Sequence, residues 1–268
     1  TVTLAIADVD TNAAGIVAGA RLNSASDITI TGAVGITAAQ ATLLVNATNS
    51  GSTSIALVTG TPADLATLAG VMGANDTITA ATPSADLSVA QVVAVQAKGI
   101  SLTAYSLSDT ATNLAAADVA VLDGAANIAL LAGTATVAEA TIIAGASNSG
   151  TTTYAIEDTS SSVLGATVSV LEGDSNDAIV VTDATMDAAT ATALTAFDAA
   201  NNDVAATGAV TEGFTINAGG AAGVFAITDT HSNIVAAANA TAAAASTAVV
   251  ATDAALTVAQ AVALEAAV

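Results

Sequence analysis

A unit of about fifty residues recurs five times along this 268-residue chain, and a chain built that way is restricted to folds that grow by adding like layers. The first half of the unit opens with a short apolar stretch closed by Asp-Thr, as in Tyr105-Ser106-Leu107-Ser108-Asp109-Thr110. The second half carries a Thr-x-Ala-Gln-Ala stretch, as in Thr257-Val258-Ala259-Gln260-Ala261. The Asp position falls at Asp8, Thr59, Asp109, Asp158 and Asp229, with gaps of 51, 50, 49 and 71. The Gln position falls at Gln40, Gln91, Glu139, Ala188 and Gln260, with gaps of 51, 48, 49 and 72. Two independent markers keep one period and lengthen at the same place. The chain therefore reads as a single elongated repeat array over 1–268, with units at about 1–52, 53–102, 103–151, 152–200 and 201–268.

Each half of the unit reads as strand then helix. Tyr154, Ile156 and Val163, like Phe225, Ile227 and Ile234, are apolar residues two apart and then seven on. The Asp or Thr that ends the strand is placed to cap a short Ala-rich helix, so Asp8, Asp109, Asp158 and Asp229 are expected to be structural caps. Asn113 and Asn233, four residues later, are placed to hydrogen-bond backbone of the adjacent coil. In the second half, Thr37-x-x-Gln40, Ser88-x-x-Gln91, Thr136-x-x-Glu139 and Thr257-x-x-Gln260 are capping boxes, in which the hydroxyl accepts from the third helical amide and the Gln or Glu reaches back. One such match is weak evidence; four in register are strong. The fourth unit departs, with Ala188 at the Gln position.

Strand markers fall near Ile6, Ile30, Leu57, Thr79, Leu107, Leu130, Ile156, Val181, Ile227 and Val250, 22 to 28 residues apart except for a 46-residue interval before Ile227. That interval has room for one extra coil near 201–223, with Phe214-Thr215-Ile216 as its candidate strand. The expected fold class is an α/β repeat solenoid of about eleven strand–helix coils, each of roughly 25 residues, with parallel stacked strands. At about 4.8 Å per stacked strand it would be roughly 50 Å long. An all-β solenoid is the rival, because Ala/Thr-rich segments suit either short helix or strand.

Composition narrows the function classes. Apolar residues make up 53% of the chain but aromatics only 2%, so the core must be built from Ala, Val, Ile and Leu in thin layers. The net charge is −21, with Arg21 and Lys98 as the only strong cations, which leaves nothing to neutralise nucleic-acid phosphates or anionic lipid. No apolar run reaches the ~18 residues of a membrane span; the Ala-rich stretch from Val235 to Ala251 is broken by Asn239, Thr241 and Ser246. An acidic chain without cysteine suits a secreted bacterial protein, so an extracellular or cell-surface location is expected. No signal peptide opens the sequence, and Thr1 precedes a repeat strand while Val268 ends a repeat helix, which reads as a whole number of units from something longer.

Chemistry has little raw material here. With no cysteine, and His231 the single histidine, zinc sites and Ser-His or Cys-His catalysis are poorly supplied, and His231 reads as a solvent-facing variation in its cap. Asp8-Val9-Asp10 and the segment Glu172-Gly173-Asp174-Ser175-Asn176-Asp177 are oxygen-rich turns, so Asp8, Asp10, Glu172, Asp174 and Asp177 are weak calcium candidates. Neither segment matches an EF-hand loop, and capped, solvated turns are the readier reading. No cofactor is expected, with calcium the possible exception. A recurring Asp is better explained by structure than by catalysis, because a catalytic site would be unique. Thr29-x-Thr31 and Thr77-x-Thr79 would line one face of a strand, a surface suited to ice or glycans, but Ala129 and Val180 interrupt the pattern.

The residues Tyr105-Ser106-Leu107-Ser108-Asp109-Thr110-Ala111-Thr112-Asn113-Leu114, with Thr136-Val137-Ala138-Glu139-Ala140, resemble a repeat of very large secreted surface proteins of cyanobacteria and proteobacteria. The resemblance spans essentially the whole chain and departs most in the second unit, at Thr59 and Pro62. It implies an adhesin-like, surface-layer or filament-forming protein without enzymatic activity. The expectation is a structural repeat segment of such a protein, partnered end to end by its own kind or by further repeats of the same polypeptide. A calcium-stabilised or glycan/ice-binding adhesin module is the alternative, and a solenoid carbohydrate-active enzyme the third reading.

Overall fold

A computed structural model describes residues 2–5, 27–31, 36–46, 51–74, 76–81, 86–103, 105–175, 178–201, 215–218 and 225–267. The strands are β1 (Val2–Ala5), β2 (Ile28–Thr31), β3 (Ile36–Thr37), β4 (Thr53–Thr59), β5 (Thr77–Ala81), β6 (Ile100–Thr103), β7 (Leu107–Asp109), β8 (Ile128–Leu130), β9 (Thr152–Thr153), β10 (Glu157–Asp158), β11 (Ala178–Val181), β12 (Thr185–Met186), β13 (Thr215–Ala218), β14 (Ala226–Asp229) and β15 (Ala248–Ala251). The helices are α1 (Ala38–Val45), α2 (Pro62–Val71), α3 (Val89–Gln96), α4 (Ala111–Ala115), α5 (Val119–Asp123), α6 (Val137–Ala144), α7 (Ser160–Leu164), α8 (Val168–Leu171), α9 (Ala188–Asn201), α10 (His231–Ile234), α11 (Ala240–Ala245) and α12 (Val258–Ala266). The chain is a mixed α/β protein with parallel strands in several small sheets, and among the described residues no barrel closes. The all-β alternative is corrected: the capped Ala-rich segments are helices. Their N-cap hydroxyls satisfy amides that a strand would have given to a neighbour.

The residues cluster into two compact units, one of Thr1–Leu131 with Ala146–Thr152 and one of Ala132–Gly145 with Thr153–Val268. In the first, β1, β2, β4, β5 and β6 form a parallel sheet in that order, and β3 pairs with the far half of β4. Ile30, Ile55, Ile78 and Ile100 occupy matching register positions and are each at most 2% exposed, so each coil lays its isoleucine on the last. Burying such a side chain contributes about 1.5–3 kcal/mol, which the residues facing the other way do not share. Helix residues such as Ala38, Ala41 and Leu44 close the other side of this core.

In the second unit β11 lies between β10 and β13, and β14 lies between β12 and β15, all in parallel. The predicted extra coil supplies a strand where the long interval left room, as β13 pairs Thr215 to Ala218 with Ala178 to Val181. Strand β14 meanwhile pairs with β12, so the inserted residues leave that coil-to-coil register intact.

Candidate functional site

The recurring carboxylates are a set of polar side chains placed the same way again and again. Their placement follows from strand register. Just before α3, α6 and α9 the chain pairs in parallel with the next Asp-bearing strand, the last pairs being Leu87 with Leu107, Ala135 with Ile156, and Met186 with Ile227. Two residues on along one chain stands the first helical amide, and two residues on along the other stands the Asp. The carboxylate therefore meets an amide that the helix itself cannot satisfy.

Asp109 Oδ2 accepts from Val89 N–H at 3.0 Å, Asp158 Oδ2 from Val137 N–H at 2.9 Å, and Asp229 Oδ2 from Ala188 N–H at 3.2 Å. The expectation that each Asp caps the helix following it is refined. That N-cap is the next residue, Thr110, Thr159 or Thr230, and the Asp caps the helix of the coil before. Asn113 and Asn233 were expected to reach an adjacent coil, but each Nδ2 donates instead to its own Asp Oδ1, at 2.7 and 2.8 Å. Burial pushes the Asp109 carboxyl up, yet donation from Asn113, Thr110 N–H and Val89 N–H outweighs it and holds the group below the ordinary aspartate range. Asp229 is held down in the same way by Asn233, Thr230 N–H and Ala188 N–H.

Two members of this set escaped the sequence reading. Asp183 Oδ2 accepts from Ser160 N–H, and Asp253 Oδ2 accepts from His231 N–H at 2.6 Å, the first amides of α7 and α10. Their signal was Thr182-Asp183 after β11 and Thr252-Asp253 after β15. Register also moves the second unit's equivalent of Asp109 from Thr59 to Gly60, because Ile36 pairs with Val58. A Cβ at Gly60 would stand 2.9 Å from that of Ala38, so the helix packs where a carboxylate would otherwise sit.

The Gln positions are capping boxes as read. Thr37, Ser88, Thr136 and Thr257 N–H groups donate to Gln40, Gln91, Glu139 and Gln260 at 2.7, 2.8, 2.9 and 2.9 Å. Thr61 and Asp64 make a fifth box, hidden in sequence because Asp stands for Gln and Pro62 takes the first helical position. In the fourth unit Asp187 Oδ1 accepts from Thr190 N–H at 2.6 Å. Thr190, not Ala188, therefore occupies the Gln position, and Ala188 is the first residue of its helix.

Two of the five calcium candidates, Asp174 and Glu172, fall within the described residues. Asp174 is buried and its Oδ2 accepts from Ile156 N–H at 2.5 Å, so it ties strand to turn, while Glu172 is exposed. Asp8, Asp10 and Asp177 lie outside the described residues. Among the described residues no group of three His, Cys, Asp or Glu could hold a metal ion. His231 is not solvent-facing as expected: it is half-buried, and its Nε2 is shielded with no hydrogen-bond partner among the described residues.

A matched pair of tyrosines marks the third and fourth units. Tyr105 Oη donates to Val121 O at 2.7 Å, and Tyr154 Oη donates to Val170 O at 2.8 Å. Gly124 and Gly173 make room, since a Cβ there would lie 2.6 and 2.1 Å from the respective hydroxyls. Burial pushes the Tyr105 phenol up against a smaller opposing effect of Gln96; burial and then the Asp174 charge push Tyr154 up.

On the outward face of the first unit's sheet, Thr3, Thr29, Ser54 and Thr77 stand in one transverse row, half-buried or exposed. Thr77 Oγ1 donates to Ser54 Oγ at 3.1 Å.

No protein-family model, curated protein or solved structure matches this chain. No helix among the described residues is long and apolar enough to cross a membrane.

Proposed function

We propose that the chain is a structural repeat segment, a solenoid of strand–helix coils serving as a stiff scaffold in an extracellular surface or filament protein, with no catalytic role. The observation that carries this reading is the carboxylate lattice. Five aspartates, Asp109, Asp158, Asp183, Asp229 and Asp253, each reach the first helical amide of a neighbouring coil. One oxygen of each is committed to a backbone amide, where a reactive carboxylate would face a substrate. Each bond links one coil to its neighbour, and such nearest-neighbour terms stabilise repeat arrays.

Deleting one whole unit, residues 110–158, joins Asp109 to Thr159 and keeps the Asp-Thr register. The shortened chain is expected to retain its circular-dichroism spectrum and melt cooperatively, as a repeat array does. Loss of folded signal would point to a fold that is not modular.

A second reading is a glycan- or ice-binding module, favoured by the hydroxyl row Thr3, Thr29, Ser54 and Thr77. Parallel strands space such hydroxyls by about 4.8 Å. Thr29→Val with Thr77→Val should abolish polysaccharide pull-down or inhibition of ice recrystallisation. If the unaltered chain shows neither activity, this reading falls.

A further inference from the structure

Helices α1 and α2 pack side by side in the first unit, and Gly60 lets them come close, since a Cβ there would stand 2.9 Å from that of Ala38. Between their N-terminal halves lies a cleft of about 250 Å3 lined by Ala38, Ala39, Thr42, Asp64 and Thr67. We propose that this cleft binds a small alkylammonium ligand, with the charged head on Asp64 and the short hydrocarbon body against the alanines and the threonine methyls. The site goes beyond the scaffold reading and uses none of the aspartates that link the coils.

The polar side chains decide the chemistry of the ligand. Thr42 Oγ1 donates to Ala38 O at 2.8 Å, and Thr67 Oγ1 donates to Ala63 O at 2.9 Å. A hydroxyl has one proton to give, so both present only acceptor lone pairs to the cleft. Asp64 is an acceptor too. Its Oδ2 takes the Thr61 N–H and hydroxyl at 3.2 and 2.7 Å, and among the described residues nothing donates to its Oδ1. Three acceptors and no side-chain donor suit a ligand that brings donors, and an ammonium brings three together with a charge. The start of α1 opposes a cation, but its dipole end amounts to roughly half a unit charge against the full charge of Asp64. The net charge of −21 adds attraction at long range. Size limits the rest of the ligand: sites for drug-sized molecules run to about 300–1,000 Å3, so this cleft takes a body of a few carbons. The lining owes its character to Asp64. It is a methylene shorter than Gln40, Gln91, Glu139 and Gln260 of the other capping boxes, and the glutamines carry amide donors where Asp64 carries charge.

Titrating n-butylammonium chloride into the isotope-labelled chain, with NaCl lowered to hold ionic strength constant, tests the site through backbone amide shifts. Saturable shifts are expected at Ala38, Ala39, Thr42, Asp64 and Thr67, with a Kd on the order of millimolar. The uncharged n-butanol should bind about threefold more weakly. Asp64→Asn keeps an acceptor for the Thr61 cap but removes the charge, and should weaken ammonium binding by the same factor of about three. Ala39 is exposed, so Ala39→Leu fills the cleft from its open side and should abolish the shifts. Circular dichroism checks that both variants fold, and titration of the unaltered chain decides the proposal without them. No saturable shift at the cleft overturns it. Shifts spread evenly over the surface carboxylates, which mean counterion binding only, also overturn it, as does equal binding of n-butanol. Unchanged binding by a folded Ala39→Leu variant does so too. None of these results touches the scaffold reading, because the unit deletion removes no residue of the cleft.

Discussion

Tyr105 and Tyr154 are the only tyrosines, and each spends its hydroxyl on one buried carbonyl. Removing one partner from such a pair strands the other without water. Tyr154→Phe should therefore lower unfolding free energy by about 1–3 kcal/mol in urea titration, and Gly173→Ala, which places a methyl on the same hydroxyl, should be at least as damaging. Both phenols are raised in the folded state, so their contribution is present below the ordinary tyrosine range, near pH 10, and is lost as pH rises through the folded values. Absorbance at 295 nm, with no tryptophan to interfere, should show tyrosine ionising late and together with unfolding. The aspartates act in the opposite direction. Asp109 and Asp229 are held low, so their contribution is present above about pH 4 and falls away as acid titrates them. Asn113→Ala and Asn233→Ala should shift the acid-unfolding midpoint to higher pH.

At the scale of the element, two kinds of cap do different work. The Thr-x-x-Gln boxes satisfy a helix from within its own first turn, so Thr136→Ala should cost about 1 kcal/mol, while Thr136→Ser should be nearly silent. The aspartates satisfy a helix from another coil and so couple neighbours. Helix α2 shows the alternative, because Pro62 at its first position has no N–H to be held. Val89→Pro copies that arrangement in α3. In its background Asp109→Ala should cost less than it does alone, and a double-mutant cycle in urea should return a coupling of about 0.5 kcal/mol or more. A coupling near zero would mean that the Asp109–Val89 bond adds nothing between coils.

At the scale of the molecule, charge dominates. A net −21 with two strong cations makes self-repulsion the main long-range term, and little within the chain offsets it. Raising NaCl from 20 to 500 mM shortens the screening length from about 20 Å to about 4 Å, so the melting temperature should rise. A flat response would show that the carboxylates are already neutralised by bound cations, which chelator titration would then reveal.

The periodic sequence by itself determined the repeat, the mixed strand–helix coil, four capping boxes and the place of the inserted strand. Each of these depends on residues within a few positions of one another, or on a spacing that repeats. Only the tertiary structure decided which helix each Asp serves, since Asp229 and Ala188 are 41 residues apart and meet because β12 and β14 pair. It also decided that Gly60 stands where Asp109 stands elsewhere, that Asp183 and Asp253 belong to the lattice, and that β13 stacks on β11. The physical reason is register. A parallel strand can slide against its neighbour at little cost in local propensity, and burial of the inward isoleucines selects one alignment, from which every carboxylate contact follows.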